Sequence, residues 1–350
     1  MRTAVRKSET PRSRSAPRGN ERRLVTQHPR RRILSLAAGA AALPAMSRMT
    51  WAQAYPTRSV RLIVSNAVGG IPDIPARFMA QWLSERLGQQ FIVENRPGAG
   101  GTIGTEAAVR APADGYTLLQ VTVSHAWNPW LYDKLDFDFV RDIAPIASMY
   151  RTALVLIVHP SFPATTVSEF IAYAKAHPGE INIASSGGVG TGTHIACELF
   201  KAVAGVDLVN VIYRGPPFGL SALLAGEVQG YFATIPPSID LIRTGKVRAL
   251  AVTTVTRVGA LPNIPPVSDF LPGYELTDWS GVGAPRNTPN AIIEKLNKEI
   301  NAGLANPRIK ERFADQGLDV FTGSSSDFGK LIADETEKWG KVMRALGIKL

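Results

Sequence analysis

The chain has 350 residues, enough for two compact domains, and its ordinary aliphatic content excludes a fibrous or largely disordered protein. Its formal charge of +10 comes entirely from residues 1–54, which hold 12 of the 39 basic residues and two of the 29 acidic ones. Residues 55–350 carry 27 of each, a formal net charge of zero. A neutral body has no general attraction for phosphate backbones, so nucleic acid is not an expected partner.

The N-terminal segment has the three parts of an export signal. Three consecutive arginines, Arg30–Arg32, precede the apolar run 33–45, which is shorter than the roughly 20 residues of a membrane span. Ala52-Gln53-Ala54 then offers a small-residue cleavage site. The pattern predicts that residues 1–54 are an export signal cleaved after Ala54, and that the mature protein is periplasmic. The paired arginines are also typical of a twin-arginine signal.

After the leader, apolar runs typical of strands alternate with helical patterns. The predicted strands are Val60–Ser65, Phe91–Asn95, Tyr116–Val123, Leu154–His159, Ile181–Ser186, Leu208–Tyr213, Gly230–Thr234 and Val247–Thr254. Most are continuous Val/Ile/Leu runs, as expected of strands buried on both faces. Among the helices between them, one is predicted from Asp73 to Gly88, and another begins at the capping box Thr166-Val-Ser-Glu169. The alternation predicts two mainly parallel α/β sheets.

The C-terminal third changes character. A predicted strand, Trp279–Pro285, is followed by two long helices, Pro289–Ala305 and Asp327–Leu346. A terminal helical pair with no new strands of its own is expected to cover an existing sheet. The chain should therefore build a first lobe, leave it near His159, and return near residue 275.

These crossing points divide the mature chain. We expect the first lobe to comprise residues 55–158 and 275–350, with the C-terminal helices on its sheet. Residues 159–274 should form the second lobe.

Three loops have the composition of an anion-binding site. The first runs from Ser65 to Asp73, the second from Ser185 to His194, and the third from Tyr213 to Pro217; each joins a predicted strand to a helix. Their glycines free the backbone to present N–H groups, and the positive end of a helix dipole follows. Ligands of open α/β sheets bind at the carboxyl ends of strands, where all three loops fall.

The polar residues of these loops also have purely structural explanations. Asp73 could serve only as a helix N-cap, and His194 could be a first-turn residue that contacts the loop backbone. Arg214 could be a surface arginine.

The sequence has no motif typical of a catalytic or metal site. Residues 190–192 lack the Lys-Ser/Thr of a P-loop, and Gly98–Gly101 does not complete a dinucleotide fingerprint. A Gly-x-Ser-x-Gly nucleophile elbow is missing, and the five histidines have no metal-ligand spacing. Cys197, the only cysteine, excludes an internal disulfide and fits a small buried residue. We expect neither a cofactor nor enzymatic activity.

Longer motifs run through the whole mature chain. They include Gly69-Gly70-x-x-Asp73-x-x-Ala76-Arg77, Val93-Glu-Asn-Arg-Pro-Gly-Ala-Gly-Gly101-x-Ile103-Gly104, Asp114-Gly-Tyr-Thr-Leu-Leu119, Asn128-Pro129-x-Leu131-Tyr132 and His194-x-Ala-x-Glu198-Leu-Phe200. In these motifs the chain resembles the Bug-type solute-binding receptors of tripartite tricarboxylate transporters. The resemblance implies a type II periplasmic-binding-protein fold, with two α/β lobes, a hinge and a central cleft. It also implies small carboxylate ligands, held largely by backbone amides and water.

The chain departs from the family pattern in three places. Ser65-Asn66-Ala67-Val68 stands where the family usually has Pro-Phe-x-Pro, and the loop 186–194 is one glycine longer than usual. In Tyr231-Phe232-Ala233, alanine occupies a position that is aspartate in many members. Because that aspartate commonly meets an amino or hydroxyl group, Ala233 argues against an amino-acid ligand.

The loops and the resemblance together define the candidate ligand-binding residues. These are Asn66, Gly69, Gly70, Asp73, Ser124, Ser186, Gly190, Thr191, Thr193, His194, Tyr213, Arg214 and Ala233.

The sequence thus predicts a monomeric extracytoplasmic receptor that captures a small organic ligand of carboxylate type and delivers it to integral membrane transporter subunits. A receptor that presents its ligand to a membrane histidine kinase is one alternative, and neighbouring genes would separate the two. An exported enzyme that uses the same cleft is the other.

Overall fold

The computed structural model describes residues 55–348, which form an α/β fold with two β-sheets and helices packed against them. The predicted export signal lies outside the described residues. Within residues 55–348, none of the helices combines the length and the apolar character that a membrane crossing requires.

The described range contains eleven strands. In chain order they are β1 (Val60–Val64), β2 (Phe91–Asn95), β3 (Thr117–Thr122), β4 (Ile143–Thr152), β5 (Leu154–Val158), β6 (Asn182–Ser186), β7 (Val209–Tyr213), β8 (Gly230–Thr234), β9 (Arg248–Val252), β10 (Asp278–Pro285) and β11 (Asp319–Val320). The first sheet has the order β11-β4-β10-β3-β1-β2, and the second has the order β7-β6-β8-β5-β9.

The same range contains eleven α-helices. They are α1 (Asp73–Leu87), α2 (Thr102–Val109), α3 (Ser124–Leu131), α4 (Phe139–Asp142), α5 (Val167–Ala176), α6 (Gly192–Ala204), α7 (Pro216–Leu224), α8 (Ile235–Arg243), α9 (Asn290–Ala305), α10 (Pro307–Asp315) and α11 (Ser325–Leu346). At the predicted capping box, the Thr166 hydroxyl accepts the N–H of Glu169, as a helix N-cap should.

Both sheets are mixed, so the prediction of mainly parallel sheets is wrong. Parallel pairing joins β1 to β2 and β3 in the first sheet, and β6 to β7 and β8 in the second. However, β10 runs antiparallel to β3 and β4, and β5 runs antiparallel to β8 and β9. The sequence did not reveal β4, because Pro145 and several polar residues interrupt its apolar pattern. Strand β4 leads directly into β5 of the second sheet, and no helix lies between the two strands.

The chain passes from one sheet to the other at Ala153, the single residue between β4 and β5, and returns between β9 and β10. We call the sheet of β1–β4, β10 and β11 with its helices lobe 1, and the sheet of β5–β9 with its helices lobe 2. The sequence predicts the first crossing near His159, six residues further along the chain. The difference arises because the apolar run Leu154–Val158 could belong to either sheet, and only strand pairing assigns it to lobe 2.

The lobes are in contact across the cleft. The Trp127 indole of α3 in lobe 1 donates a hydrogen bond of 2.8 Å to the carbonyl oxygen of Gly190 in lobe 2. Trp127 also packs edge-to-face on Trp339 of α11, with ring centroids 4.9 Å apart. Helix α11 therefore covers lobe 1 and supports the side chain that reaches lobe 2.

Candidate ligand-binding site

A cavity of about 60 Å³ lies between the lobes, at the carboxyl ends of strands β1, β3, β6, β7 and β8. Its lining residues are Asn66, Ala67, Gly70, Ile71, Pro72, Thr122, Ser124, Leu154, Ser186, Gly187, Thr191, Gly192, Thr193, Gly215, Pro216, Thr234 and Asp278. The lining contains neither lysine nor arginine, and Asp278 is its only charged residue.

Five helices begin at this cavity. The N-termini of α1, α3, α6, α7 and α8 all lie at its wall, and none of the five carries a side-chain cap. Four of the other six described helices are capped, by Asp138, Thr166, Asn306 and Ser324. The first N–H groups of an α-helix have no acceptor within the helix, and the dipole adds positive potential there. Prolines occupy the first turns of α7 and α8 and have no N–H, and in α1 the N–H groups of Asp73 and Ile74 donate to the Gly70 carbonyl oxygen. All five N-termini add the positive end of a helix dipole, whereas α3 and α6 have no proline at their first two positions and also offer N–H donors there. The cavity is therefore a binding environment for anions.

Loop 1, between β1 and α1, is held by the buried carboxylate of Asp73. It accepts hydrogen bonds from the Gly69 N–H at 2.9 Å and from Asn95 Nδ2 at 2.8 Å, and Arg77 donates two more, at 3.1 and 2.9 Å. Burial by itself raises the pKa of Asp73, but the hydrogen bonds from Arg77, Gly69 and Asn95 outweigh it and lower the pKa below its ordinary value. Asp73 therefore orders the loop from behind and does not line the cavity.

Loop 2, between β6 and α6, is held by its own hydroxyl groups. Thr191 Oγ1 lies 2.9 Å from the Ser186 carbonyl oxygen and 2.8 Å from that of Gly188, and can donate to either. Thr193 Oγ1 accepts the Ser186 N–H at 2.8 Å and donates to the Ser186 carbonyl at 2.9 Å. These bonds within the loop leave the uncapped N-terminus of α6 directed at the cavity.

His194 contacts the backbone of loop 2, as expected if its role is to order the loop and not to bind the ligand. Its Nδ1 accepts the Gly190 N–H at 3.3 Å, and burial lowers the pKa of the ring. Because its pKa lies below that of a free histidine, the imidazole is neutral at physiological pH and adds no positive charge to the site. Gly190 itself has a φ of +80°, a backbone conformation that favours glycine.

The structure divides the predicted site residues into three groups. Six line the cavity: Asn66, Gly70, Ser124, Ser186, Thr191 and Thr193. Four lie behind the lining and order the two loops: Gly69, Asp73, Gly190 and His194. Three do not line the cavity: Tyr213, Arg214 and Ala233.

The last group changes two interpretations. Arg214 is exposed, so its guanidinium supplies no charge to the cavity. Ala233 is fully buried in the apolar core of lobe 2, whereas the next residue, Thr234, lines the cavity. Ala233 therefore does not disfavour an amino-acid ligand, because its side chain faces the core and not the cavity.

Sequence reasoning missed three polar cavity residues, Thr122, Thr234 and Asp278. Thr234 is only 7% exposed, and its hydroxyl has no hydrogen-bond partner among the described residues. Asp278 is the first residue of β10 and lies deep in the cleft, where burial raises the pKa of its carboxyl to about 7. None of the three lies in a glycine loop, so the signal that identified the other positions was missing. For Asp278, the only indication in the sequence was an acidic residue at the start of a buried strand.

The described residues suggest no metal or thiol chemistry. Within 55–348, no group of three or more His, Cys, Asp or Glu residues is arranged to hold a metal ion. Cys197 is buried, and burial raises the pKa of its thiol well above the ordinary value. A thiol of that kind stays protonated and is a poor nucleophile.

Comparison with known proteins assigns the chain to a family. The family model described as the tripartite tricarboxylate transporter family receptor matches residues 75–348. The protein BugT of Bordetella pertussis is 34% identical over 302 residues, which cover 85% of this chain and 92% of BugT. A protein from the tcbD–tcbE intergenic region of Pseudomonas sp. strain P51 is 34% identical over 319 residues, covering 90% of this chain and 94% of the relative.

Solved structures agree with this assignment. An R. palustris protein determined with adipate is 35% identical, with a TM-score of 0.79, over 85% of this chain and 100% of that one. MatC of Rhodopseudomonas palustris, determined with bound malate, is 30% identical with a TM-score of 0.77, over 82% of this chain and 99% of MatC. The chain therefore belongs to the tripartite tricarboxylate transporter receptor family.

Proposed function

We propose that this protein is an extracytoplasmic receptor that captures a small carboxylate for an uptake system and does no chemistry on it. The observation that carries the proposal is the convergence of five uncapped helix N-termini on one cavity whose lining holds neither lysine nor arginine. Such a site favours an anion through the five helix dipoles and through the backbone N–H groups at the starts of α3 and α6. The adipate and malate bound by two structural relatives support a carboxylate ligand.

The proposal includes a clamp. The cavity is lined from both sides, by Asn66 and Gly70 of lobe 1 and by Ser186 and Thr191 of lobe 2, so a ligand bound there contacts both lobes. A ligand held between the lobes enters while they are apart. We propose that the lobes separate by a hinge motion at Ala153 and at the segment between β9 and β10. The protein acts as a monomer, and its partners are integral membrane subunits of the transporter.

The test of carboxylate binding is a thermal-shift screen of the mature protein, residues 55–350. We expect at least one small carboxylate to raise the melting temperature by about 5 °C at saturation. A ligand at 100 times its dissociation constant stabilises by about 2.7 kcal/mol, and each kcal/mol shifts a domain of this size by roughly 2 °C. The matched controls are uncharged amides, such as adipamide beside adipate, which should produce no shift.

The same ligands should make the particle more compact in small-angle scattering, because closure brings the lobes together. A screen in which amides stabilise the protein as well as carboxylates do would contradict anion capture. A radius of gyration unchanged on saturation would contradict the clamp.

We also propose that residues 1–54 direct export and are removed. The support is the sequence pattern of arginines, apolar run and Ala52-Gln53-Ala54. N-terminal sequencing of protein recovered from the periplasm should begin at Tyr55, and a start upstream of Arg30 would contradict the assignment.

A further inference from the structure

Asp278 brings a carboxyl group of lobe 1 to the helix N-terminus of lobe 2. It begins β10, pairs with Thr152 of β4, and therefore stands beside the crossing at Ala153. The carboxyl group also lies close to Gly192 of lobe 2: a Cβ added to Gly192 would be 3.6 Å from Asp278 Oδ2. Gly192 is the first residue of α6, so this carboxyl lies where the ligand's anionic group is expected to be close.

No ion pair compensates the charge of Asp278. None of the salt bridges among the described residues includes it. Burial raises its pKa to about 7, and the backbone N–H of Trp279 offsets only part of that effect. Even beside the N-terminus of α6, burial makes the ionised carboxylate costly, and a cation that reached it would offset that cost.

The surrounding elements offer no cation either. Tyr150 of β4 is on the same face of the sheet and couples electrostatically to Asp278, but its phenol is neutral, because burial raises its pKa. Strand β5 contributes Leu154, and α6 contributes Gly192, while the His194 ring is turned to Gly190. Arg151 of β4 pairs with Trp279, the residue after Asp278, and so lies on the opposite face of the sheet from Asp278. Its partner on β11 is Asp319.

We propose that Asp278 is a specificity-determining residue that selects carboxylates bearing an ammonium group. In this arrangement the helix N-termini hold the ligand's carboxylate and Asp278 pairs with its ammonium. The inference rests on the proposed function and names its ligand class as amino acids. It replaces the expectation drawn from Ala233, which faces the core of lobe 2.

Charge balance favours an ammonium over the alternatives. A plain dicarboxylate would bring a second like charge close to Asp278, and like charges at such distances repel. A hydroxyl group satisfies one hydrogen bond and leaves the negative charge in place. An ammonium offers three donors and cancels the charge, so a zwitterion adds no net charge to the site.

The experiment is calorimetry with matched ligand pairs that differ only in the amino group: succinate and aspartate, glutarate and glutamate, adipate and 2-aminoadipate. Wild type should bind the amino member of at least one pair about tenfold or more tighter than the plain member. Asp278→Asn should lose about 10- to 100-fold affinity for that amino acid, the factor expected for a hydrogen bond to a charged group. Asp319→Asn removes an exposed carboxylate of the same sheet and should behave as wild type.

The pH dependence gives a second readout. An ammonium pairs with ionised Asp278, so amino-acid binding should release protons near pH 7 and tighten between pH 5 and pH 8. Asp278→Asn should abolish this trend. Circular dichroism and unliganded melting curves verify that the variant folds.

The outcomes separate this inference from the proposed function. If plain dicarboxylates bind tighter than their amino partners, and Asp278→Asn strengthens that binding, the inference is overturned and the receptor function stands. If amino acids bind equally to wild type and Asp278→Asn, the inference also fails. If none of the six probes binds any variant, the inference fails, and the absence of any shift in the carboxylate screen would overturn the proposed function.

Discussion

Replacing Gly192 by valine is expected to lower ligand affinity by more than about a hundredfold, or 2.7 kcal/mol, without unfolding the protein. Gly192 lines the cavity, and its φ lies outside the left-handed region, so another residue can adopt its backbone. A Cβ there would meet only Asp278 Oδ2 at 3.6 Å and Leu154 Cδ1 at 3.9 Å, ordinary contact distances. The two methyl groups of valine would then occupy space that the ligand needs.

Two further variants locate the source of the affinity. Arg214→Gln should leave affinity unchanged, because Arg214 is exposed and does not line the cavity. Thr191→Ala removes the hydroxyl that supports loop 2. It should weaken the free energy of ligand binding by about 0.5–1.5 kcal/mol, the net value of a typical hydrogen bond. Gly259→Val is the matched control for Gly192→Val, since its Cβ would enter open space away from the cavity.

Calorimetry with a ligand from the carboxylate screen, together with circular dichroism, decides between two mechanisms. If Arg214→Gln is the most damaging of the four changes, an arginine clamp binds the ligand, and the backbone mechanism proposed here is wrong. If Gly192→Val and Gly259→Val bind equally well, the cavity between the lobes is not the site.

Replacing Asp73 by alanine should lower the free energy of unfolding by about 2–3 kcal/mol. The change removes the acceptor of the Gly69 N–H and one acceptor each of Asn95 and Arg77, which keep their bonds to the Asn66 carbonyl oxygen and to Asn95 Oδ1. A buried donor that loses its partner costs more than the hydrogen bond itself contributes. Affinity should fall as well, since loop 1 loses the group that orders it. Urea denaturation measures the first effect.

The control is Asp334→Ala, which breaks a pair with Lys330 at the same i,i+4 spacing but on the surface. Exposed pairs contribute about 0–1 kcal/mol, so this variant should unfold almost as wild type does. An equal loss in both variants would show that Asp73 is an ordinary surface charge.

The Asp73 contribution should also depend on pH with a definite sign. Its folded-state pKa is lowered, so the stabilisation is present above the ordinary aspartate pKa of about 4 and is lost as pH falls through the folded value. The difference in stability between wild type and Asp73→Ala should therefore shrink in acid. A difference that stays constant down to pH 2 would contradict an ionised Asp73 in the native state.

The sequence by itself determined the features that depend on local pattern. Apolar patterns identified nine of the strands. Strands such as β3 and β5 are buried throughout, as a continuous apolar run predicts, whereas the edge strands β2 and β7 are partly exposed. Glycines between a strand and a helix identified loops 1 and 2, because such turns need positive φ at Gly69, Gly187 and Gly190. Family motifs then defined the two-lobed fold.

Tertiary structure decided what depends on pairing between distant segments. The crossing at Ala153 follows from the pairing of β5 with β8 and β9. The apolar residues of β5 do not indicate which strands it pairs with or in which direction. Asp278 reaches the cavity only because β10 returns beside β4, more than a hundred residues later in the chain. A one-residue difference along a strand turns a side chain to the opposite face, which is why Ala233 lies in the core while Thr234 meets the cavity. Composition and periodicity locate strands and loops, but the residues that share a cavity are determined by long-range packing.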